Sequence, residues 1–214
     1  SLAERELLIK SMREEAMKNV DLMSKMACEE TDMGRFEDKV HKNVLAIEKT
    51  PGTEDLQPVA YTGDDGLTLV ERSPFGVIGA ITPMTNPTET VICNSIGMIA
   101  AGNAVVFSPH PKAKACTNKA IQILNNAIIK AGGPANVLTS AAEPSIKNAN
   151  IMMNHPKVNM ICATGGHAVV KAALSTGKKA IGAGAGNPPA LVDETANIEQ
   201  AAIDIINGCS LDNN

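Results

Sequence analysis

The chain has 214 residues, 44% hydrophobic and 20% charged, which is ordinary for a globular protein and enough for a substantial core. Its formal net charge of −4 removes the electrostatic case for nucleic acid or an anionic membrane surface, and three Phe, one Tyr and no Trp leave little to stack on bases. No run of about 18 apolar residues occurs, so no transmembrane helix is expected.

The opening SLAERELLIK lacks a signal-peptide pattern and reads as the inside of a helix, so a cut chain is expected. Leu8, Met12 and Ala16 recur at helical spacing. Asp21 is the expected cap of a second helix through Ala27, and Gly34 breaks the pattern. Phe36, Val40, Val44 and Ile47 mark a third helix ending at Pro51-Gly52. The methionines of this region read as packing residues. Pro51–Ser73 changes character: GDDG at Gly63–Gly66 is a turn and Leu67–Arg72 is β-prone, giving a ribbon that is marginal alone and needs a partner.

From Phe75 onward strands and helices alternate. Strands are expected at Val77–Ile81, Ala104–Phe107, Asn136–Thr139, Val158–Cys162, Lys179–Ile181 and Ala190–Val192. Helices are expected at Thr88–Ala101, Lys114–Ala131, Pro144–Met153, His167–Ser175 and Asn197–Asn207. This alternation predicts an α/β fold, a mostly parallel sheet with helices on both faces.

Three segments of the alternating region are candidates for chemistry. Asn86 lies at the carboxyl end of the first sheet strand, where such sheets bind ligands; its amide is either an oxyanion donor or a turn residue before Pro87. Thr164-Gly165-Gly166 opens a helix and is either an anion site or a plain strand-to-helix turn. Gly182–Asn187 is not a dinucleotide fingerprint, because its spacing is GxGxG and Pro188-Pro189 follows where a helix should. Its small side chains suit either close cofactor approach or tight packing.

The five cysteines (Cys28, Cys93, Cys116, Cys162, Cys209) form no CxxC pair, which fits a reducing cytoplasm and argues against a zinc site. Cys93 and Cys162 read as core residues. Cys209, after Gly208, is the exposed candidate. The four histidines are scattered, each a structural residue on spacing alone, and no metal site is expected.

Long segments resemble the coenzyme A-acylating branch of the aldehyde dehydrogenase superfamily. They include EETDMGRFEDK (Glu29–Lys39), TPGTEDL (Thr50–Leu56), TGDDGLTLVE (Thr62–Glu71), GVIGAITPMTNPTETVICNSIGMIAAGNAVVF (Gly76–Phe107), ATGG (Ala163–Gly166), GKKAIGAGAGNPP (Gly177–Pro189) and VDETANIE (Val192–Glu199). The resemblance implies a modified Rossmann-type NAD-binding domain over 75–214, a bridging or oligomerisation β-ribbon over 51–74, and a helical segment over 1–50. NAD is the implied cofactor, with coenzyme A and a short-chain aldehyde as substrates. A homo-oligomer is implied too, cytoplasmic or inside a bacterial microcompartment, with no nucleic-acid or membrane partner.

The implied cofactor-binding residues are Ile81, Thr82, Pro83, Ser108, Pro109, His110, Thr164, Gly165, Gly166, Gly182, Ala183 and Gly184, with Asn86 as oxyanion donor. The usual Lys-Pro-Ser-Glu loop is replaced by Ser108-Pro109-His110-Pro111. Ala183 aligns with the glutamate that activates water in hydrolytic members, so water attack on a thioester is disfavoured and coenzyme A can resolve it. The family's catalytic cysteine follows a Ser-Phe-Asp-Asn-Asn-Leu-Pro stretch. Here Ser210-Leu211-Asp212-Asn213-Asn214 closes the chain, so the nucleophile is expected three residues beyond Asn214. The catalytic domain is therefore expected to be missing, and Cys209 does not match the nucleophile position. A semialdehyde or acyl-phosphate reductase and a non-catalytic nucleotide-binding module are the other readings.

Overall fold

The computed structural model describes residues 1–186 and 188–211. Asn187, which ends the Gly-Ala run, and residues 212–214 of the terminal stretch lie outside them. Three helices come first: α1 (Leu2–Lys18), α2 (Val20–Thr31) and α3 (Phe36–Lys49). Ser1 and Glu4 form a reciprocal capping box that starts α1. Asp21 is not the cap of α2. Asn19 occupies that position and α2 follows almost directly on α1, because Asn19 itself breaks the helical dihedrals (φ −111°, ψ 13°). α2 runs four residues beyond the expected Ala27 and stops where Asp32 turns left-handed (φ 53°).

A two-stranded antiparallel ribbon follows, β1 (Val59–Gly63) and β2 (Gly66–Val70), in register from Val59 opposite Val70 to Gly63 opposite Gly66. Every residue of both strands is exposed.

The remaining elements are β3 (Val77–Ile81), α4 (Pro87–Ala100), β4 (Ala104–Ser108), α5 (Lys114–Lys130), β5 (Leu138–Ser140), α6 (Ile146–Asn154), β6 (Met160–Thr164), α7 (His167–Leu174), β7 (Lys179–Ala183) and α8 (Ile198–Ser210). β3 to β7 pair in parallel in the order β5-β4-β3-β6-β7. The chain winds outward from β3 through β4 to β5, then returns to β3's other side for β6 and β7. That reversal opens a crevice at the carboxyl ends of β3 and β6.

The expected strand at Ala190–Val192 does not form. Leu191 is 96% exposed, and the segment, which follows Pro188-Pro189 and its missing N–H donors, finds no described strand to pair with.

Each face of the sheet has its own core. On one, Ile92, Ile96, Phe107, Leu124 and Ile128 pack with Ile9, Met12, Met23 and Ile47, so α1 to α3 belong to the same core as α4 and α5. Full burial of each such side chain contributes about 1.5–3 kcal/mol. On the other, α6 and α7 pack Met152, Met153 and Ala173 against Ile81, Ile161 and Ala163. Met12 and Met23 thus serve as packing residues.

α5 has no side-chain cap of its own. The Glu30 carboxylate of α2 instead accepts from the amides of Ala115 (2.8 Å) and Cys116 (2.8 Å). Partial burial pushes the Glu30 carboxyl up, but these two amide bonds, together with the Cys116 thiol and the Lys114 charge, outweigh it and leave it below its usual range.

α3 departs from its apolar pattern. Of Phe36, Val40, Val44 and Ile47, only Ile47 is fully buried, while Lys39, Asn43 and Ala46 share the inward face with it. An ammonium on the buried face of a helix needs a local partner, and it finds one beneath the crevice.

Candidate cofactor cleft at the sheet's carboxyl ends

A cleft of about 730 Å³ sits over the carboxyl ends of β3, β4 and β6. Ile81 through Asn86 wall one side, Ser108 through Pro111 a second, and Thr164 through Gly166 a third, with Ser145, Ile146 and Ala149 of α6 and Gly184 through Gly186 closing it. Among the described lining residues there is no carboxylate and no cysteine.

Of the residues singled out in the sequence, Ile81, Thr82, Pro83, Asn86, Ser108, Pro109, His110, Thr164, Gly165, Gly166 and Gly184 come together here. Gly182 and Ala183 do not line the cleft; they are the last residues of β7. Gly182 is required for another reason: a Cβ there would lie 2.5 Å from Val170 Cγ1, so α7 packs directly on its backbone. Ala183 carries only a methyl, and its carbonyl accepts from Gly165 N–H (3.1 Å), tying β7 to the cleft's edge.

The loop after β3 carries the most informative geometry. Pro87 starts α4, where its missing N–H costs nothing, and Asn86 is the N-cap. An N-cap Asn ordinarily turns its side chain onto the first helical amides. Asn86 does not: its backbone carbonyl accepts from Thr90 (3.2 Å), while its side-chain Oδ1 accepts from Lys42 Nζ at 2.8 Å. The carboxamide is thus held at the cleft wall and not spent on capping.

Beneath it, the fully buried Lys39 ammonium donates to the Thr85 carbonyl and lies 4.0 Å from Glu89 Oε1. The Thr88 hydroxyl donates to Glu89 Oε2 (3.1 Å). Burial raises the Glu89 carboxyl above its usual range, and the nearby ammonium offsets only part of that shift. Asn43 donates to Ser24 Oγ (3.0 Å) and to the Lys39 carbonyl (3.0 Å), completing the polar layer under the loop.

Two cleft hydroxyls are buried, Thr82 and Ser108. Thr82 Oγ1 has no hydrogen-bond partner among the described residues. A buried hydroxyl of this kind is costly unless something completes it, which marks the cleft as a place for a polar ligand. His110 Nδ1 accepts from the Lys112 amide (3.2 Å), and burial first, then the Lys112 charge, lowers its pKa.

The cysteines lie elsewhere. Cys116 is buried, and its thiol is pushed far up by burial and by Glu30; burial likewise raises Cys28 and Cys162. Cys93 accepts from Thr50 Oγ1 (3.2 Å) and Cys209 is exposed on α8. The raised thiols of Cys28, Cys116 and Cys162 are disfavoured as thiolates.

Sequence reasoning missed Met84, Thr85 and Thr90, the α6 wall, and the pair Lys39 and Lys42. α6 carries no signal of a ligand wall. Lys39 did leave one: with Asn43 and Ala46 it forms an i, i+4, i+7 row containing a charge, visible only once the helix phase is known.

Residues 1–213 match the aldehyde dehydrogenase family. The chain belongs to that family. Over 215 aligned residues it is 50% identical to an acetaldehyde dehydrogenase (acetylating) of Bilophila wadsworthia, covering 100% of this chain and 44% of that protein. A propionaldehyde dehydrogenase from the Clostridium phytofermentans fucose utilisation bacterial microcompartment superposes with TM-score 0.93 at 54% identity, over 100% of this chain and 49% of that one.

The Rhodopseudomonas palustris propionaldehyde dehydrogenase with bound propionyl-CoA gives 0.93 at 59%, over 99% and 47%. An engineered glycolyl-CoA reductase with bound NADP+ gives 0.94 at 58%, over 100% and 49%. The chain spans less than half the length of these aldehyde dehydrogenase family relatives. As expected, the fold is the α/β dinucleotide-binding part of that family's architecture. No helix among the described residues is long and apolar enough to cross a membrane.

Proposed function

We propose that this chain is the dinucleotide-binding portion of a coenzyme A-acylating, NAD-dependent aldehyde dehydrogenase for short-chain aldehydes. The carrying observation is the cleft at the sheet's switch point, with its buried, uncompleted Thr82 hydroxyl, in a chain of this family. The cleft fits a dinucleotide chemically. Its lining has no carboxylate to repel phosphate, and Gly165 and Gly166 lead into the first amides of α7, which can donate to a pyrophosphate. The Thr82 and Ser108 hydroxyls are available to ribose oxygens.

Bound NAD supplies the hydride acceptor. The nucleophile is a cysteine thiolate from the further segment that relatives possess, and Asn86 Nδ2 donates to the oxyanion formed when that thiolate adds to the aldehyde. Ala183 offers no base to activate water, so the acyl thioester persists until the coenzyme A thiol displaces the enzyme sulfur. The reading divides the chain into helices over 1–50, a bridging ribbon over 51–74 and the NAD domain over 75–214. It also carries over the microcompartment setting of the Clostridium relative.

Two outcomes follow. The purified chain alone forms no NADH from acetaldehyde, propionaldehyde or butyraldehyde with coenzyme A, and calorimetry finds NAD bound more weakly than by the enzyme joined to its catalytic half. Turnover by the chain alone that Cys209→Ser abolishes would place the nucleophile on α8 and overturn the reading. The exposed ribbon, with Tyr61 at 63%, Leu67 at 72% and Leu69 at 61% exposure, supports a homo-oligomer in this reading. Sedimentation velocity checks this, and a monomer across all concentrations would contradict it.

A further inference from the structure

We infer that Lys42 is a positioning residue that locks the side-chain amide of Asn86 in the one orientation in which it can donate to an oxyanion. The inference rests on the oxyanion role proposed above.

A carboxamide presents two nearly isosteric ends, an acceptor oxygen and a donor NH2. Only the NH2 end can stabilise developing negative charge; the oxygen end in its place would repel it. Most N-cap asparagines settle the choice by turning the oxygen onto helix amides. Asn86 lacks that bond. Its oxygen goes to Lys42 Nζ instead, at 2.8 Å. An ammonium has three donors and no acceptor, so it can face only the oxygen. With Oδ1 accepting from that ammonium, Nδ2 is the end of the amide that can donate to an oxyanion.

The supporting arrangement comes from α3. Lys39 and Lys42 lie three residues apart on one helix, so their side chains neighbour each other. Lys39 holds the backbone carbonyl of Thr85 while Lys42 holds the side chain of the next residue. One turn of α3 therefore fixes both the main chain and the amide of the loop. Thr85 Oγ1, 3.5 Å from Asn86 Nδ2, is too distant to set the orientation by itself. Lys42 does not line the cleft, so its action passes through Asn86.

The test uses the enzyme carrying this chain together with its catalytic half, as wild type, Lys42→Met, Lys42→Arg, Asn86→Ala and the Lys42→Met/Asn86→Ala double variant. Loss of an orientation, with the donor still present, is expected to lower kcat about tenfold and leave KM within about twofold. Lys42→Arg, also donor-only, restores most of the rate. In the Asn86→Ala background, Lys42→Met causes no further loss.

A harmless Lys42→Met, or losses that multiply in the double variant, would overturn the lock while leaving the Asn86 role intact. A harmless Asn86→Ala would instead overturn the oxyanion role, and an independent readout on the chain then judges the lock alone. That readout is the 15N order parameter of the Asn86 side-chain amide, assigned by its disappearance in Asn86→Ala. It falls on Lys42→Met if the lock exists, and an unchanged value overturns it.

Discussion

Replacing Asn86 by Ala is expected to lower kcat of the joined enzyme by about 10²–10³-fold, equivalent to about 2.7–4 kcal/mol of lost transition-state stabilisation, with little change in KM. A pre-oriented amide meets charge that exists only after the thiolate has added, so its contribution is absent from ground-state binding. The loop is built to keep that amide in place at the cleft wall. Pro87 supplies the first helical residue, the Asn86 carbonyl closes the first helical bond, and Lys42 takes the side-chain oxygen. Steady-state kinetics with propionaldehyde and coenzyme A check the expectation. An effect confined to KM would mean that Asn86 binds substrate and does not stabilise the transition state.

Lys39→Met is the second large effect, this time on stability. It is expected to cost about 3–5 kcal/mol near neutral pH, because it removes one member of a buried ion pair and leaves the other. Glu89, in the first turn of α4, would keep its own backbone amide, the more distant Lys42 charge and the Thr88 hydroxyl, but lose its principal cationic partner.

The pH dependence has a definite sign. Burial already raises the Glu89 carboxyl above its unfolded value near 4.5, and the Lys39 ammonium is the largest influence lowering it. A carboxyl raised on folding contributes its stability below the unfolded pKa and loses it as pH rises through the folded one. Without Lys39 that folded pKa climbs further. The penalty of Lys39→Met is therefore smallest in mild acid and grows toward neutral pH. Urea unfolding at several pH values measures it, and Lys39→Met/Glu89→Gln is expected to recover most of the loss by removing the stranded charge. A pH-independent penalty, or no recovery in the double variant, would show that Lys39 stabilises through its stem and the Thr85 carbonyl alone.

Apart from the strand expected at Ala190–Val192, the sequence alone determined the order and kind of the elements from β3 onward, because residues with their own backbone requirements punctuate them. Pro87 begins α4, Gly102 (φ 81°) ends it, and Gly132 (φ 86°) ends α5. It also pointed to the ribbon, since a Gly-Asp-Asp-Gly turn leads into the β-prone run Leu67–Arg72, and the paired strand Val59–Gly63 came from the structure. The loops that meet at the cleft were legible because an alternating parallel sheet must put its ligand loops at the carboxyl strand ends.

Strand extents were less legible. Residues 179–183 continue as β7 because they pair with β6, whereas Ala190–Val192, equally β-prone, finds no described neighbour. Pairing is a property of two segments, and one segment's composition does not contain it. The role of Gly182 followed the same rule, since its lack of a side chain answers to Val170 on α7 and not to a ligand.

The polar layer beneath Asn86 was decided only by tertiary structure. Lys39 and Lys42 precede Asn86 by more than forty residues, in a helix whose apolar residues suggested a different inward face. Which face of α3 turns inward depends on how it packs against α2 and α4, and only that packing brings two ammoniums under a loop otherwise read as a turn before a proline. Periodicity can locate a helix, but its rotation about its own axis is set by contacts distant in sequence, and here that rotation orients the residue on which the proposed chemistry depends.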